Sequence, residues 1–262
     1  MKFVITKGKL ENMLEMLMVK DILPKCILNA KGKTITSLQK DEHNRLARLL
    51  KLKESFFNSI DEVKEEEVIE FDAKKVINII KNIPSNIITW KTDKNKIIIS
   101  SENREYGIGI IEPENVEKDL PFKIVEGVPT FSDIPLDTKL KVKISDMRDI
   151  SQNANTLSTE FIRFKAVDKK LIVRIGDVHD FDDYCAIDMV DAKIEDKGKL
   201  DAVFTYGVPQ ISATFRGDVD DVKDVKDACM NMRMKDDYPA WFYEKTNDHY
   251  LGVLVAPYIE EE

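Results

Sequence analysis

IITWKTDKNKIIIS (residues 87–100) and IRFKAVDKKLIVRI (residues 162–175) are the stretches on which the reading of the fold turns. Each has an extended run, a polar turn containing Asp-Lys (Asp93-Lys94; Asp168-Lys169) and a second run rich in Ile and Val, which is the pattern of a β-hairpin. Hairpins converge on such turns, so the likeness alone supports an internal duplication only weakly. The order of elements around each hairpin strengthens it.

Upstream of the first hairpin, residues 3–5 read as a strand. A helix over 8–20 follows, with Leu10, Met13, Leu14, Leu17 and Met18 recurring at three and four. Short strands come next at 26–29, 34–38, 46–52 and 68–71. A second helix over 72–82 carries Val76, Ile77, Ile79, Ile80 and Ile83, with Asp72 as its cap and Pro84 past its end. Strands at 87–91, 96–100 and 106–111 close this half. The second half repeats the rhythm. A strand at 140–144 leads into a helix over 145–157, capped by Ser145 or Asp146, with Met147, Ile150, Ala154 and Leu157 facing inward. Strands follow at 161–166, 171–175, 184–189 and 200–204. A fourth helix over 205–215 begins at Thr205, and the last strand lies at 251–256. The expectation is an α+β chain of two similar halves.

Between the halves, residues 112–137 hold Pro113, Pro121, Pro129 and Pro135 and show no clean period, so they read as a linker. Leu120, Phe122, Ile124, Val125, Val128 and Phe131 are too apolar for a solvated tether. Either they pin the linker to a sheet behind it, or linker and sheet together form a groove for a partner. The resulting division is 1–117, 118–137 and 138–262.

The chain has 262 residues, room for one large domain or two of roughly 130 residues each. Its apolar fraction of 43% supports a core, and its 34% of charged residues fall throughout, which excludes a fibre, a disulfide-stapled miniprotein and a membrane-spanning protein. The net charge of −8 argues against nucleic-acid binding by bulk charge, although not against a local basic surface. Cys26, Cys185 and Cys229 stand far apart, as in a reduced intracellular protein. No secretory signal is read at the start, and no apolar run is long enough to span a membrane.

Catalytic signals are sparse. Gly107-x-Gly109 lacks the third glycine of a phosphate loop and falls inside a strand. His43, His179 and His249 have no partner at metal spacing. The cluster Asp177-Val-His179-Asp180-Phe-Asp182-Asp183 reads either as a solvated loop or as a divalent-cation site. The acidic run from Asp218 to Asp224 fails as a calcium loop, with Lys223 at its sixth position and Cys229 at its twelfth. A scaffold fits better than an enzyme, and no cofactor is expected.

The C-terminal sequence GVLVAPYIEEE (residues 252–262), Asp41 after a strand, and Glu70-Phe71-Asp72 leading into a lysine-bearing helix and a charged hairpin together resemble the sliding clamps of the proliferating-cell-nuclear-antigen type. The element order extends that resemblance over nearly the whole chain. The resemblance implies two similar domains, each with two helices packed on antiparallel sheets, and a ring of three chains closed head to tail around duplex DNA. Such a heterologous contact makes a ring only where the rotation closes. It implies that strands 106–111 and 184–189 of successive subunits pair, through Tyr106, Ile108 and Ile110 on one side and Tyr184, Ala186 and Asp188 on the other. It implies sequence-independent phosphate contact from Lys9 and Lys20 on the first helix, Lys74, Lys75 and Lys81 on the second, Arg148 on the third and Arg216 after the fourth. Glu11, Glu15, Asp72, Asp146 and Asp149 share those helices, and Gln152, Asn153, Asn155, Gln210, Ser212 and Thr214 take much of the polar surface of the third and fourth. This is less basic than the family pattern.

The resemblance also implies a groove for short peptides of DNA polymerase and other partners, at Ala47, Leu120, Phe122, Ile124, Val255, Ala256, Pro257 and Ile259. Asn44 and Arg45 depart from the pattern there. The expected function is a non-enzymatic processivity factor, opened by a separate clamp loader. The alternatives are a clamp-fold interaction protein that does not encircle DNA, as a decoy or one subunit of a mixed ring, and a metal-dependent enzyme using Asp177, His179 and Asp180.

Overall fold

The computed structural model describes residues 1–19, 23, 25–43, 45–111, 123–125, 128–130, 136–159, 161–167, 170–176, 183–189, 192–194, 200–204, 215 and 228–258. The chain divides into two compact units. Unit 1 comprises Met1–Gln39, Arg48–Asp119 and Lys245–Leu251; unit 2 comprises Lys40–Ala47, Leu120–Glu244 and Gly252–Glu262.

In chain order the first elements are β1 (Lys2–Thr6), α1 (Lys7–Met18), β2 (Lys25–Gly32), β3 (Thr34–Lys40), β4 (Leu46–Leu52), β5 (Ser59–Ile60) and β6 (Val63–Asp72). Next come α2 (Ala73–Lys81), β7 (Ile87–Asp93), β8 (Lys96–Ser101) and β9 (Arg104–Gly109). A short hairpin, β10 (Lys123–Val125) and β11 (Val128–Thr130), precedes β12 (Thr138–Lys143), α3 (Ile144–Leu157), β13 (Ile162–Val167), β14 (Lys170–Ile175) and β15 (Cys185–Asp188). The last are β16 (Lys193–Ile194), β17 (Leu200–Phe204), β18 (Cys229–Met234), β19 (Ala240–Lys245) and β20 (His249–Val255).

Strand order is the decisive observation. The strands of the first half of the sequence, β1 to β9, form the runs β5-β1-β7-β8-β9 and β4-β3-β2-β6. Those of the second half, β12 to β20, form the runs β16-β12-β18-β19-β20 and β15-β14-β13-β17. Taken place by place these are one permutation used twice, with α1 after β1 and α3 after the corresponding β12. The fold is therefore an internal repeat. The hairpins that suggested it are not its equivalent parts, however. β13–β14 corresponds to β2–β3, whereas β7–β8 corresponds to β18–β19. Both hairpins are Ile- and Val-rich because both bury one face, and the shared Asp-Lys carries no positional meaning.

Period-two burial builds each sheet. In β7, Ile88 and Trp90 are buried while Ile87 and Lys91 face solvent. In β14, Leu171, Val173 and Ile175 are buried. The core of unit 1 centres on Trp90, stacked on Phe3 at 5.5 Å between ring centres and edge-on to Phe71 at 5.4 Å. That of unit 2 centres on Phe164, which meets Phe204 at 6.0 Å and Phe242 at 6.4 Å. Buried aromatics of this size dominate core energetics.

The helices follow the sequence pattern, with shifted ends. α1 stops at Met18 because Val19 turns left-handed (φ 41°). Leu10, Met13, Leu14 and Leu17 are buried, as is Met16, while Met18 is only half-buried. Asp72 caps α2, accepting from the Lys75 N–H at 3.2 Å. Neither Ser145 nor Asp146 caps α3. The helix starts one residue earlier, which puts Lys143 at the cap position without a side-chain bond and leaves the Ser145 hydroxyl donating to Asp146 at 3.2 Å. The fourth helix expected over 205–215 lies outside the described residues except for Phe215.

Candidate functional site

The outward face of α2 is the most basic helical surface described. Ala73, Val76 and Ile80 point into the core, which leaves Lys74, Lys75, Asn78 and Lys81 exposed along the other side. No carboxylate interrupts that row. The helix end is itself ringed by cations: Lys7 Nζ donates to the Ile83 carbonyl at 2.8 Å, and Arg104 donates to the Asn82 carbonyl at 2.7 Å. Positive groups there complement the negative end of the helix dipole.

The other expected phosphate contacts are placed differently. Lys9 Nζ lies 3.3 Å from Asp248 Oδ2, with side chains only 16% and 12% exposed, and 5.7 Å from the centre of the Phe56 ring. Its charge is neutralised inside unit 1. Arg148 is half-buried and directs Nη2 toward the Phe215 carbonyl at 3.5 Å. The residues that α3 exposes are Asp149, Gln152, Asn155 and Thr156. Lys20 and Arg216 lie outside the described residues, as do Asp177, His179 and Asp180 of the possible metal cluster.

Two edge strands bear on the expected subunit contact. β9 ends the run in unit 1, and β15 ends the matching run in unit 2. Register fixes their faces. Ile99 pairs with Tyr106 and Ile97 with Ile108, so Tyr106 and Ile108 share the buried face of β8, while Glu105, Gly107 and Gly109 share the outer one. In β15, Cys185 and Ile187 pair with the buried Ile175 and Val173. Ala186 and Asp188 therefore lie on the outer face. Tyr184, exposed at 56%, has the Arg174 guanidinium 5.3 Å from its ring. The expected sets Tyr106/Ile108 and Ala186/Asp188 thus occupy opposite faces of their sheets. Cys185 and Ile187, missed in the sequence, are the residues on the face matching Tyr106 and Ile108. Period-two counting from the buried Val173 and Ile175 would have found them.

The groove residues that are described lie in unit 2. Asp41 is buried and folds its loop back, accepting from the Leu46 N–H at 2.6 Å. Ala47 and Val255 are buried, and Ala256 and Pro257 half-buried. The Ala256 N–H donates to the Arg45 carbonyl at 2.8 Å and the Tyr258 N–H to the Val203 carbonyl at 2.8 Å. Tyr258 meets Phe161 edge-on at 5.3 Å. These bonds seat the segment up to Tyr258. Ile124 pairs with Pro129 in the β10–β11 hairpin. Leu120, Phe122 and Ile259 are outside the described residues.

One buried charge had no counterpart in the reading of the sequence. Arg48, in β4, is fully buried. It donates through Nη2 to Ser37 Oγ at 2.9 Å and to Gln39 Oε1, while Nε and Nη1 have no hydrogen-bond partner. Burial pulls its guanidinium down to about 10. Burial also pushes the nearby Cys26 thiol up to about 12, against the opposing pull of Arg48. The signal was the odd cation in LARLLKL, flanked by apolar residues on both sides.

No protein-family model matches the sequence, and no curated protein is similar to it by sequence. Solved structures are. Proliferating cellular nuclear antigen from Entamoeba histolytica superposes with a TM-score of 0.77 at 12% identity, covering 98% of both chains. The A. fulgidus PCNA bound to the C-terminal region of FEN-1 gives 0.74 at 15% identity, covering 100% of this chain and 99% of that one. PCNA from Thermococcus kodakaraensis gives 0.72 at 18% identity, covering 98% and 99%. The class is settled by these: the chain has the α+β DNA-clamp fold. Within that class, its full-length likeness is to clamps of the PCNA type.

Proposed function

We propose that this chain is a sliding clamp: an intracellular, non-enzymatic processivity factor whose copies close into a three-membered ring around duplex DNA. In this reading residues 1–117 and 138–262 are the two clamp domains and 118–137 the connector. The observation that carries it is the doubled strand order, which puts β9 at an edge in unit 1 and β15 at an edge in unit 2. Edges of this kind invite pairing with another chain, and ring closure removes both. The lysine row of α2 supplies phosphate contact without base readout. Polymerase and other partners dock peptides against Ala47, Val255, Ala256 and Pro257, with the linker above, and a separate loader opens the ring. A ring holds DNA topologically, so weak contact suffices, and tethering raises the partner's effective concentration.

Solution mass and retention on circular against linear duplex test this. A three-chain mass with retention on circles and escape from linear ends is expected. A monomer at micromolar concentration that ignores both templates overturns the reading.

The exposed row of α3, which carries Asp149 and no cation, and the internal pairing of Lys9 favour a second reading, in which this chain is one member of a mixed ring whose partner supplies more positive charge. A three-chain mass reached only with a different clamp subunit would select it.

A further inference from the structure

The run β15-β14-β13-β17 lies wholly in unit 2, and its two faces differ in chemistry. Ile162, Phe164, Leu171, Val173 and Ile175 are buried on one side of it. Period two sends the residues between them to the other side. Register sorts that outer side into rows. Arg163 pairs with Arg174 and Val203, and Arg174 with Ala186, which makes one row across the sheet. Lys165 pairs with Ile172 and Asp201, and Ile172 with Asp188, which makes the next. Lys170 lies beyond it on β14. Lys165, Lys170, Arg174, Asp188 and Asp201 are exposed and Arg163 half-buried.

A third row is aromatic. The Gly176 N–H donates to the Phe161 carbonyl at 2.8 Å, and Tyr184 falls opposite Gly176, one step past the Ile175–Cys185 pair. Phe161 shares the parity of Arg163 and Tyr184 that of Ala186, so both rings belong to the outer side. Gly176 between them contributes no side chain. Tyr258 ends the row: its N–H bonds the Val203 carbonyl and its ring meets Phe161 edge-on at 5.3 Å. Tyr184 is 56% exposed, with the Arg174 guanidinium 5.3 Å from its ring.

These rows suit a ligand that is both anionic and flat. Arg163 and Arg174 stand directly opposite each other, an arrangement of like charges that opposes strand pairing until an anion is laid across it. The Asp201 carboxylate is shared, with Arg163 Nε at 3.5 Å and Lys165 Nζ at 3.2 Å. Among the described residues of this side, four cations thus stand against Asp188 and Asp201, on a protein whose net charge is −8. Phosphates or carboxylates would satisfy the cations, but an acidic peptide brings nothing flat for the rings, and a duplex keeps its base faces inside its own stack. An unpaired strand supplies both, since every base has a π-face and stacking is indifferent to sequence.

We infer that this sheet face binds single-stranded nucleic acid without sequence preference, its phosphates along Arg163, Lys165, Lys170 and Arg174 and its bases on Tyr184 and Phe161. This is a role beyond the encircling of duplex DNA and does not depend on it. Pairing along the β15 edge would engage backbone groups and leave the face itself free, and α2 takes no part.

The probe is a fluorescently labelled oligothymidylate, which forms no duplex of its own, titrated by anisotropy over a salt series. Binding that weakens with salt is expected. Lys170→Gln with Arg174→Gln should lower the slope of log affinity against log salt by about 0.7 per cation. Tyr184→Ala should weaken binding about tenfold, within the range for one stacked base, and Asp188→Asn should strengthen it. All four positions are exposed, so these changes disturb no core. An abasic oligomer with the same number of phosphates should bind more weakly and be indifferent to Tyr184→Ala. Equal affinity for the two oligomers, or displacement by polyglutamate as effective as by nucleic acid, overturns the inference in favour of an acidic partner of another kind. Absence of binding also overturns it. The variant with Lys74, Lys75 and Lys81 replaced by alanine should keep its affinity for this probe, and a loss there would move the contact to α2. A monomeric mass would end the ring reading and change none of these outcomes.

Discussion

Gly107 in β9 and Gly252 in β20 lie on strands that hold the same place in the doubled strand order, and they meet opposite surroundings. A Cβ on Gly252 would come within 2.1 Å of the Trp241 ring, and Trp241 is 2% exposed. A Cβ on Gly107 would lie 3.8 Å from the Lys96 side chain, an ordinary contact with a flexible group. One strand order is thus filled to different densities, tightly in β20 and loosely in the edge strand β9. Neither glycine has a positive φ, so space rather than backbone decides. Gly252→Ala should cost about 3 kcal/mol, at the upper end of overpacking penalties. Gly107→Ala should raise stability by about 0.5 kcal/mol, since glycine weakens a strand. Denaturant midpoints measure both, and similar losses at the two sites would break the comparison.

This difference shows what could be read in advance. The α+β class, the three described helices and most strands were legible, because burial on one face imposes a period on the residues themselves. Leu10, Met13, Leu14 and Leu17 announce α1 in that way, and Val76 and Ile80 announce α2. Pairwise facts were not legible. Nothing in the run KVKISDM says that Lys143 rather than Ser145 ends up at the cap position, since both are compatible with a turn starting there. Nothing local says that Lys9 meets Asp248, since that pair is made only when the turn before β20 returns to α1. The hairpin likeness pointed to a true repeat through the wrong parts, because turn composition converges while strand order does not.

The second contrast is between α2, which exposes three lysines, and α3, which exposes Asp149, Gln152, Asn155 and Thr156. If DNA passes along both helices, α2 supplies most of the contact. Replacing Lys74, Lys75 and Lys81 with alanine should lower the slope of log affinity against log salt by about 0.9 per lysine. Gln152→Lys with Asn155→Lys should raise it in the same measure. Fluorescence anisotropy over a salt series on a duplex reads both. An unchanged slope in the α2 variant would remove that helix from the interface.

The smallest effect separates Arg48 from Cys26, both buried within unit 1. The ordinary thiol value is 9.0, and burial raises Cys26 to about 12, so the folded protein keeps a proton that the unfolded chain releases above pH 9. The stability this represents is complete below pH 9 and is lost as pH rises toward 12. Arg48 acts in the opposite sense. Burial lowers it from its ordinary, much higher value to about 10, so the unfolded chain holds the proton longer, and this group's contribution grows as pH rises above 10. Between pH 9 and 10 the thiol therefore dominates, with Arg48 opposing it only as pH 10 is reached. Over that window the wild-type protein should lose about 1 kcal/mol through Cys26. Cys26→Ala leaves a cavity and a lower overall stability, yet the drop across that window should shrink by that amount, because the titrating group is gone. Urea titrations at pH 8, 9 and 10 on the two proteins measure the difference. An equal drop in both would mean that the thiol is not held in its neutral form by the core.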